Sequence, residues 1–277
     1  MPVRPTVLPA ITLLAGLGML GTLAAGPGAT PAAAGTGCVA PPVAHRGDSA
    51  RAPENTLPAY RTALRLGVRR LEADVRFTSD DVPVLMHDTT VDRTTDGSGE
   101  IAAMALSQVR ALDAGSWFAK RYTGVKVPTL DQVLGYGRTR GARFLVELKT
   151  RPTAAQMDTL LDGFRRLGMT ERVRVTSLDG ATIQAVRAAA PGLRTGKIDY
   201  PRYRGPRSVL SFGRTYLVHH YSVTERRAKR WQRAGIEIRP WTVDYRRGWR
   251  RMAWNRSGPV ITNRPKAYLA WARGFCS

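Results

Sequence analysis

Short apolar runs alternate with amphipathic segments from residue 43 to the end of the chain. Eight runs have the length and composition of strands: 43–45, 70–78, 82–87, 144–149, 173–178, 216–219, 236–243 and 259–262. Seven segments have helical periodicity: 57–66, 130–136, 154–167, 181–190, 224–234, 245–254 and 265–271. This alternation is typical of parallel strands covered by helices.

Two α/β architectures satisfy that pattern, an open doubly wound sheet and a closed eight-stranded barrel. Their periodicity is the same, but the position of the polar residues differs. Polar side chains lie late in several apolar runs: His45, Glu72, Asp74, Glu147, Lys149 and Ser177. A barrel builds its site in this way, at the C-terminal ends of its strands. No Gly-rich phosphate loop follows the first run, so we predict a TIM (β/α)8 barrel.

A long polar stretch interrupts the alternation between residues 89 and 127. It contains the turn-forming run 94–99, Thr-Thr-Asp-Gly-Ser-Gly, and a new helix begins near Pro128. Insertions of this length inside a compact domain are usually functional. We expect a small inserted subdomain of about residues 89–127 over the site, within one domain covering 35–277.

The N-terminal segment has the features of an export signal. Arg4 is its one charged residue, an apolar stretch runs from Val7 to Ala25, and small residues follow up to Ala34. This order predicts a signal peptide over residues 1–34 and a secreted protein. A retained membrane anchor is the alternative, because about 19 apolar residues just span a bilayer.

The two cysteines flank the predicted domain, Cys38 near its start and Cys276 as the penultimate residue. In an oxidising compartment such a pair is expected to form a disulfide that joins the two ends. Lipidation of Cys38 is the alternative, but the preceding residues lack the apolar position of a lipidation signal.

The charge of the chain is strongly positive. Of 277 residues, 43 are Lys or Arg and 21 are Asp or Glu, giving a formal net charge of +22. The excess lies in the basic C-terminal third, residues 187–277, which holds 21 basic and 4 acidic residues. Such a field favours anionic partners, with a solvated basic face as the alternative. The 43% hydrophobic composition excludes wholesale disorder and a collagen-like chain.

Three carboxylates have the arrangement of metal ligands. Glu72 and Asp74 are two apart in a strand, so both point to one face, where they repel unless a cation lies between them. Glu147 is an acid inside another apolar run, and buried acids need a partner. An all-carboxylate set suits Ca²⁺ or Mg²⁺ better than zinc. Acids on the solvent side of amphipathic strands are the alternative.

Two histidines lie near residues suited to phosphate. A pair such as His45 and His87 can divide the work of taking and giving a proton. Arg46 offers a fork of donors matched to phosphate oxygens, and Lys149 adds a point charge. A single histidine in a strand is more often structural, and we interpret His219 and His220 in that way.

These residues fall within motifs that resemble one known family. The motifs, in chain order, are His45-Arg46-Gly47, Pro53-Glu54-Asn55-Thr56, Glu72-Ala73-Asp74-Val75, His87-Asp88, Thr94-Thr95, Pro128-Thr129-Leu130, Glu147-Leu148-Lys149, Trp241-Thr242-Val243 and Thr262-Asn263-Arg264-Pro265. In order and approximate spacing they are similar to the glycerophosphodiester phosphodiesterase family. The resemblance runs from about Val43 to Tyr268.

The resemblance implies a TIM barrel with a small insertion that uses one divalent cation, Ca²⁺ or Mg²⁺. The implied reaction hydrolyses small glycerophosphodiesters to sn-glycerol 3-phosphate and an alcohol. The implied roles are an acid/base pair, His45 and His87; metal ligands, Glu72, Asp74 and Glu147; phosphate-binding residues, Arg46 and Lys149; and pocket residues, Glu54, Asn55 and Trp241.

Two features depart from the family pattern. Asp80-Asp81 stands where the family usually has Asp-Gly, and because Asp tolerates a left-handed turn we expect the turn to persist. The basic C-terminal third is not part of the pattern, and we expect it to face an anionic membrane or cell-wall surface and not nucleic acid. Two other functions stay open: phospholipase-D-like action on lysolipids, and non-catalytic binding of an anionic wall polymer.

Overall fold

The computed structural model of the chain describes Met1 and residues 38–277. Apart from Met1, the predicted signal peptide, residues 1–34, lies outside the described residues. Nine strands are present in the described part: β1 Val43–Ala44, β2 Arg70–Phe77, β3 Pro83–Leu85, β4 Arg143–Leu148, β5 Val173–Ser177, β6 Thr195–Asp199, β7 Thr215–His219, β8 Glu237–Trp241 and β9 Ile261–Thr262.

Nine α-helices lie in the same part of the chain. They are α1 Leu57–Arg65, α2 Leu106–Ala111, α3 Leu130–Arg138, α4 Ala154–Arg166, α5 Gly180–Ala189, α6 Pro206–Leu210, α7 Glu225–Arg233, α8 Arg246–Trp254 and α9 Pro265–Cys276. The short α2 and α6 were not expected from periodicity, because five or six residues are too few for an apolar face to repeat. Across residues 38–277, no helix has the length and apolar character needed to cross a membrane.

Eight parallel strands form the predicted barrel. Their order is β8-β7-β6-β5-β4-β2-β1-β9. Just beyond β8, Val243 N donates to Ile261 O of β9 at 2.9 Å, which brings the two ends of the sheet together. The TIM-barrel prediction is therefore confirmed.

Two strands differ from the sequence-based expectation. The run 82–87 does form β3, but β3 pairs antiparallel with β2 and is not a barrel strand. The sixth barrel strand, β6, was missed. Its sequence Thr-Gly-Lys-Ile-Asp has one large apolar residue, and the buried Lys197 is neutralised by Asp199 at 2.9 Å. An internal ion pair therefore replaces the apolar pattern that marks the other strands.

The inserted segment packs around a small apolar cluster of its own. The cluster joins β3 to the insertion through Val84, Met86, Val91, Ile101, Val109, Ala114 and Val127. At the tip of the β2–β3 hairpin, Asp81 adopts a positive φ of 60°, so the turn persists with Asp in the place of Gly. The far ends of the domain are joined by a disulfide between Cys38 and Cys276, whose Cα atoms are 5.8 Å apart.

Helix starts follow local capping chemistry. Thr129 caps α3 by accepting from Gln132 N, and Thr153 caps α4 by accepting from Gln156 N. In both helices the Gln side chain accepts from the Thr backbone N–H, which completes a capping box. The apolar faces of these helices pack on the outer side of the sheet and hold the strands that carry the site.

The barrel interior has an apolar middle and two charged ends. Inward positions in the middle are Val43, Leu145, Ile198, Leu217 and Ile261. Side chains alternate along a strand, so every second residue of β2 and β4 faces the interior. These inward residues are arginines at the N-terminal ends of the two strands and carboxylates towards the C-terminal ends. The apolar layer therefore separates the charges at the C-terminal end from those at the N-terminal end.

Candidate active site

Three carboxylates meet at the C-terminal end of the barrel. Asp74 of β2 lies directly opposite Glu147 of β4 in the parallel pair, and Glu72 is one inward position earlier. Each residue offers an oxygen within 4.8 Å of the other two. Glu72 is 2% exposed and Asp74 is fully buried, and Glu72 Oε1 and Asp74 Oδ1 are buried without a hydrogen-bond partner.

The crowding changes the acidity of all three groups. Burial, together with Asp74 and Glu147, raises the pKa of Glu72 well above its usual range. Burial and Asp74 also raise the pKa of Glu147. Burial acts the same way on Asp74, but Arg46 and Lys149 outweigh it and hold the pKa of Asp74 below its usual range. The donor set, all hard oxygens with Glu72 Oε1 unpartnered, fits a divalent cation.

Arg46 is held by backbone geometry and by two acids. It has a positive φ of 55°, and the next residue, Gly47, packs so tightly on α1 that a Cβ would lie 2.6 Å from the Ala59 carbonyl carbon. Arg46 Nη1 donates to Glu54 Oε1 at 2.9 Å, and Nε lies 2.9 Å from Asp74 Oδ2. The guanidinium is thereby fixed at the wall of the cleft.

Lys149 completes the cationic side of the site. Its Nζ donates to Glu147 Oε1 at 2.7 Å and lies 3.4 Å from Asp74 Oδ1. Burial opposes its charge, yet the two carboxylates raise the pKa of Lys149. The ammonium therefore stays protonated beside the acids.

His45 is oriented by a relay of two hydrogen bonds, one between its ring and Asn263 and one between Asn263 and Asp244. Asp244 accepts from Asn263 Nδ2 at 2.6 Å; because a carboxylate has no proton to give, the Asn263 oxygen must face His45 Nδ1, 2.7 Å away. Nδ1 then carries the proton, and Nε2, 3.9 Å from Glu72 Oε2, is free of it in the neutral ring. Burial and Arg46 lower the pKa of His45 to about 4.

His87 has a different partner. Its Nδ1 lies 2.6 Å from Asp88 Oδ1, and Arg93 Nε donates to the other Asp88 oxygen at 2.5 Å. Arg93 also donates to Glu54 Oε1 at 2.7 Å. The hydrogen bond from Arg93 holds the pKa of Asp88 at about 2, while burial lowers the pKa of His87. Arg93 belongs to the insertion, so the inserted segment supports the site.

The cleft between these groups has a volume of about 130 Å³. One wall is charged, with both histidines, Arg46, Lys149, Glu72 and Glu147; the other is apolar, with Leu178, Ile198, Leu217, Trp241 and Ile261. Asn55 and Glu54 do not line it: Asn55 lies behind Asp74 and donates to its Oδ2 at 2.9 Å, and Glu54 bridges the two arginines. Their place is behind the cleft wall.

Three supporting residues were not assigned a role from the sequence. Asn263 lies inside the Thr-Asn-Arg-Pro motif, which could have drawn attention to it. Arg93 lies in a polar loop and Asp244 just past a strand, and neither has a local pattern that marks it. Both act across long sequence separations, from Glu54 to Arg93 and from Asp244 to Asn263.

Comparison with known proteins agrees with this arrangement. Residues 45–267 match the model of the glycerophosphoryl diester phosphodiesterase family. The chain is 29% identical to a glycerophosphodiester phosphodiesterase of Caldanaerobacter subterraneus, over 83% of this chain and 97% of that protein. It is 28% identical to one from Bacillus subtilis, over 84% and 86% of the two chains.

A solved structure gives the same result. The crystal structure of glycerophosphodiester phosphodiesterase from Agrobacterium tumefaciens is 30% identical and superposes with a TM-score of 0.75, over 84% of this chain and 100% of that one. The chain therefore belongs to the glycerophosphoryl diester phosphodiesterase family and is an enzyme of that family.

Proposed function

We propose that the protein hydrolyses glycerophosphodiesters to sn-glycerol 3-phosphate and an alcohol, with a divalent cation and with His45 and His87 as proton-transfer groups. The observation that carries the proposal is the convergence of two histidines, two cationic side chains and three carboxylates on one cleft. Phosphodiester cleavage needs these groups together. Negative charge develops on the phosphate oxygens, while one proton leaves the attacking hydroxyl and another reaches the oxygen of the leaving group.

Glu72, Asp74 and Glu147 are the residues proposed to hold one cation, Ca²⁺ or Mg²⁺. A bound cation of this kind neutralises charge that develops on the phosphate oxygens. The unpartnered Glu72 Oε1 supports this assignment, whereas Asp74 Oδ1 has no hydrogen bond but lies 3.4 Å from Lys149 Nζ. The burial of Glu72 Oε1 without a hydrogen bond or an ion pair is costly in a protein interior unless a cation compensates it.

Arg46 and Lys149 are proposed to bind the phosphate oxygens of the phosphodiester. The Arg46 Nη1 and Nε atoms are engaged by acids, which leaves Nη2 for a phosphate oxygen. Lys149 has three donors and shares one with Glu147 at 2.7 Å. The Arg46 and Lys149 side chains are both held in place before the substrate binds, so little side-chain entropy is lost on binding.

The two histidines are proposed to have different roles because their Nδ1 partners differ. A carboxylate stabilises the imidazolium form, so Asp88 makes His87 the better proton acceptor from the attacking hydroxyl. His45, which faces the neutral amide of Asn263, is the weaker base. Because His45 is neutral in the free enzyme, it takes up a proton from solvent at Nε2 when the anionic phosphodiester binds. The resulting imidazolium is the stronger acid of the two, and it gives that proton to the departing alkoxide as the phosphorus–oxygen bond breaks.

The attacking hydroxyl is either water or the neighbouring hydroxyl of the glycerol. In the second case a cyclic phosphate forms first and is then opened by water. Phosphorus NMR of a single-turnover reaction separates the two routes. A transient cyclic species identifies internal attack, and direct appearance of glycerol 3-phosphate identifies water.

The histidine roles are tested by changing the leaving group. We expect His45→Ala to lower turnover of glycerophosphocholine by about 10²-fold or more. With a p-nitrophenyl ester of glycerol phosphate the loss is much smaller, since p-nitrophenolate leaves without a proton. His87→Ala is the matched control and loses activity equally on both substrates. Equal losses for His45→Ala on both substrates would remove it as the proton donor.

The same assay separates the competing functions. Release of glycerol 3-phosphate from glycerophosphocholine supports the proposal. Turnover of lysophosphatidylcholine alone would favour phospholipase-D-like action on lysolipids. Salt-sensitive binding to an anionic wall polymer, without turnover of any diester, would favour the non-catalytic binder.

We also propose that the basic C-terminal third attracts the enzyme to an anionic membrane or cell-wall surface. Its helices α7 and α8 carry exposed arginines: Arg226, Arg230, Arg233, Arg246, Arg247 and Arg250. Trp254, 64% exposed, and Tyr245, 43% exposed, lie among them, and such aromatic rings suit an interface. Sedimentation with phosphatidylglycerol vesicles, reversed by about 0.5 M salt and absent with phosphatidylcholine vesicles, is the expected result.

The protein is proposed to be secreted. The disulfide between Cys38 and Cys276 supports this, because disulfides persist in oxidising compartments. Fractionation of expressing cells, with the intact mass of the product, tests it. Loss of about the first 34 residues in the medium is expected; a full-length product in the membrane fraction would contradict it.

A further inference from the structure

The N-terminal end of the barrel carries a second charged cleft. Four arginines line it: Arg70 of β2, Arg143 of β4, Arg174 of β5 and Arg239 of β8. We call these four residues the basal arginine cluster. Arg70 lies directly opposite Arg143 in the parallel pair. The cleft shares no lining residue with the catalytic cleft, because the apolar middle layer of the barrel lies between them.

The basal arginine cluster has too few acids to neutralise it. Glu237 is the one acid lining the cleft; it lies 3.0 Å from Arg174 Nη2 and 2.8 Å from Arg239 Nη2. Within residues 38–277, the side chains of Arg70 and Arg143 have neither an ion pair nor a hydrogen bond. Four positive charges therefore face one negative charge.

The environment of the cluster strengthens its field. Val43 and Leu145 of the apolar middle layer form the floor of the cleft, and low-dielectric surfaces of this kind focus the potential of the charges beside them. Arg239 is only 9% exposed. Burial and the neighbouring Arg174 and Arg70 lower the pKa of Arg239 to about 10, despite Glu237. The positive charges of the basal arginine cluster therefore repel one another.

Such repulsion is unexpected at this end of a TIM barrel. Function is normally at the C-terminal face, and residues at the N-terminal face serve stability. Four converging guanidinium groups reduce stability unless an anion relieves them. Guanidinium forks match the oxygens of phosphate, to which they bind in pairs.

We propose that the basal arginine cluster binds a phosphate group, free or as a phosphate monoester, at the barrel end opposite the catalytic cleft. The cleft volume of about 400 Å³ lies in the range of small-molecule sites. It therefore accommodates a small organic part beside the phosphate. The site is independent of the proposed hydrolysis, so either can fail without the other.

Arginine labelling localises the binding. Phenylglyoxal modification of each arginine in the purified full chain is followed by peptide mass spectrometry, in inorganic phosphate and in chloride of equal ionic strength. We expect phosphate to slow labelling of Arg70 and Arg143 by about fivefold or more, as fractional occupancy above about 80% requires. Arg61 of α1 and Arg121 of the insertion, both exposed and outside the basic C-terminal third, are the internal controls and keep their rates.

A pair of matched variants tests the same site by stability. Phosphate raises the thermal midpoint of the wild type and of Arg61→Gln/Arg121→Gln. The increase is smaller in Arg70→Gln/Arg143→Gln, where phosphate still binds the catalytic cleft. Neither changed residue of that variant has an ion pair to lose, so it is expected to fold. All measurements include EDTA, so that a bound cation does not contribute.

The ligand source is distinguished by a parallel arm with glycerol 3-phosphate. Equal protection by both compounds supports a site for the phosphate group itself, and stronger protection by glycerol 3-phosphate supports a monoester site. Labelling rates of Arg70 and Arg143 that are the same in phosphate, glycerol 3-phosphate and chloride would overturn the proposal. Equal protection of Arg61 and Arg121 would also overturn it, because the effect would then be general to surface arginines.

Discussion

Asn263 is predicted to control catalysis through His45 without touching substrate. Its side-chain oxygen accepts from His45 Nδ1 at 2.7 Å and from Ser49 Oγ at 2.8 Å, and its Nδ2 donates to Asp244 at 2.6 Å. Asn263→Ala removes all three hydrogen bonds. At about 1 kcal/mol each, the free energy of unfolding falls by about 3 kcal/mol.

The effect on catalysis follows from the lost orientation of the ring. Without the amide oxygen, the proton of His45 is no longer held on Nδ1, and the ring is free to turn. We expect kcat to fall by about 10²-fold, the contribution typical of a general acid or base. KM changes little, since Asn263 does not line the cleft.

The assay is glycerol 3-phosphate release by the variant, with urea unfolding measured on the same preparation. Asn255→Ala is the matched control, because Asn255 donates a single hydrogen bond, to Val223 O, away from the cleft. It is expected to lose about 1 kcal/mol and no activity. A folded Asn263→Ala protein with wild-type kcat would refute the orienting role of this relay.

Three further predictions concern other parts of the structure. Arg93→Ala removes the insertion's contact with the site; kcat is expected to fall about tenfold, a loss near one charge-assisted hydrogen bond, and carbon NMR should show the pKa of Asp88 rising from about 2. His220 is buried and accepts from Arg251, and burial lowers its pKa to about 4; the stability of its neutral form is present above pH 6.5 and is lost as pH falls towards 4. Urea unfolding should therefore show the wild type losing about 2 kcal/mol more than His220→Gln between pH 7 and pH 5; parallel pH profiles would contradict this. Cys38→Ser opens a loop with a sequence separation of 238 and is expected to lower the free energy of unfolding by about 2–5 kcal/mol; an unchanged urea midpoint would show that the disulfide contributes nothing.

The sequence predicts the barrel well because most of its strands are nearly continuous apolar runs. The exception, β6, shows the limit of that signal. Lys197 and Asp199 satisfy each other inside the fold, and an ion pair two residues apart in sequence does not distinguish a buried strand from a solvated loop. β3 was recognised as a strand, but its antiparallel pairing with β2 depends on the short turn at Asp81.

The site is predictable where residues act through local spacing and less so where they act across the fold. Glu72 and Asp74 share a face because they are two apart in a strand, so their proximity follows from the sequence. The Asn263 relay depends on the meeting of β1 and β9, which are more than 200 residues apart. Asn55 was expected in the pocket, but its positive φ of 57° turns it behind Asp74.

The account depends most on the claim that one cleft joins a carboxylate-bound cation to histidine proton transfer. The most direct test is glycerol 3-phosphate release from glycerophosphocholine after removal of cations with EDTA, followed by addition of Ca²⁺ or Mg²⁺. We predict loss of activity with EDTA, recovery with one of the two cations, and no recovery in Glu72→Gln. Full activity in EDTA, or full recovery of Glu72→Gln, would contradict the account.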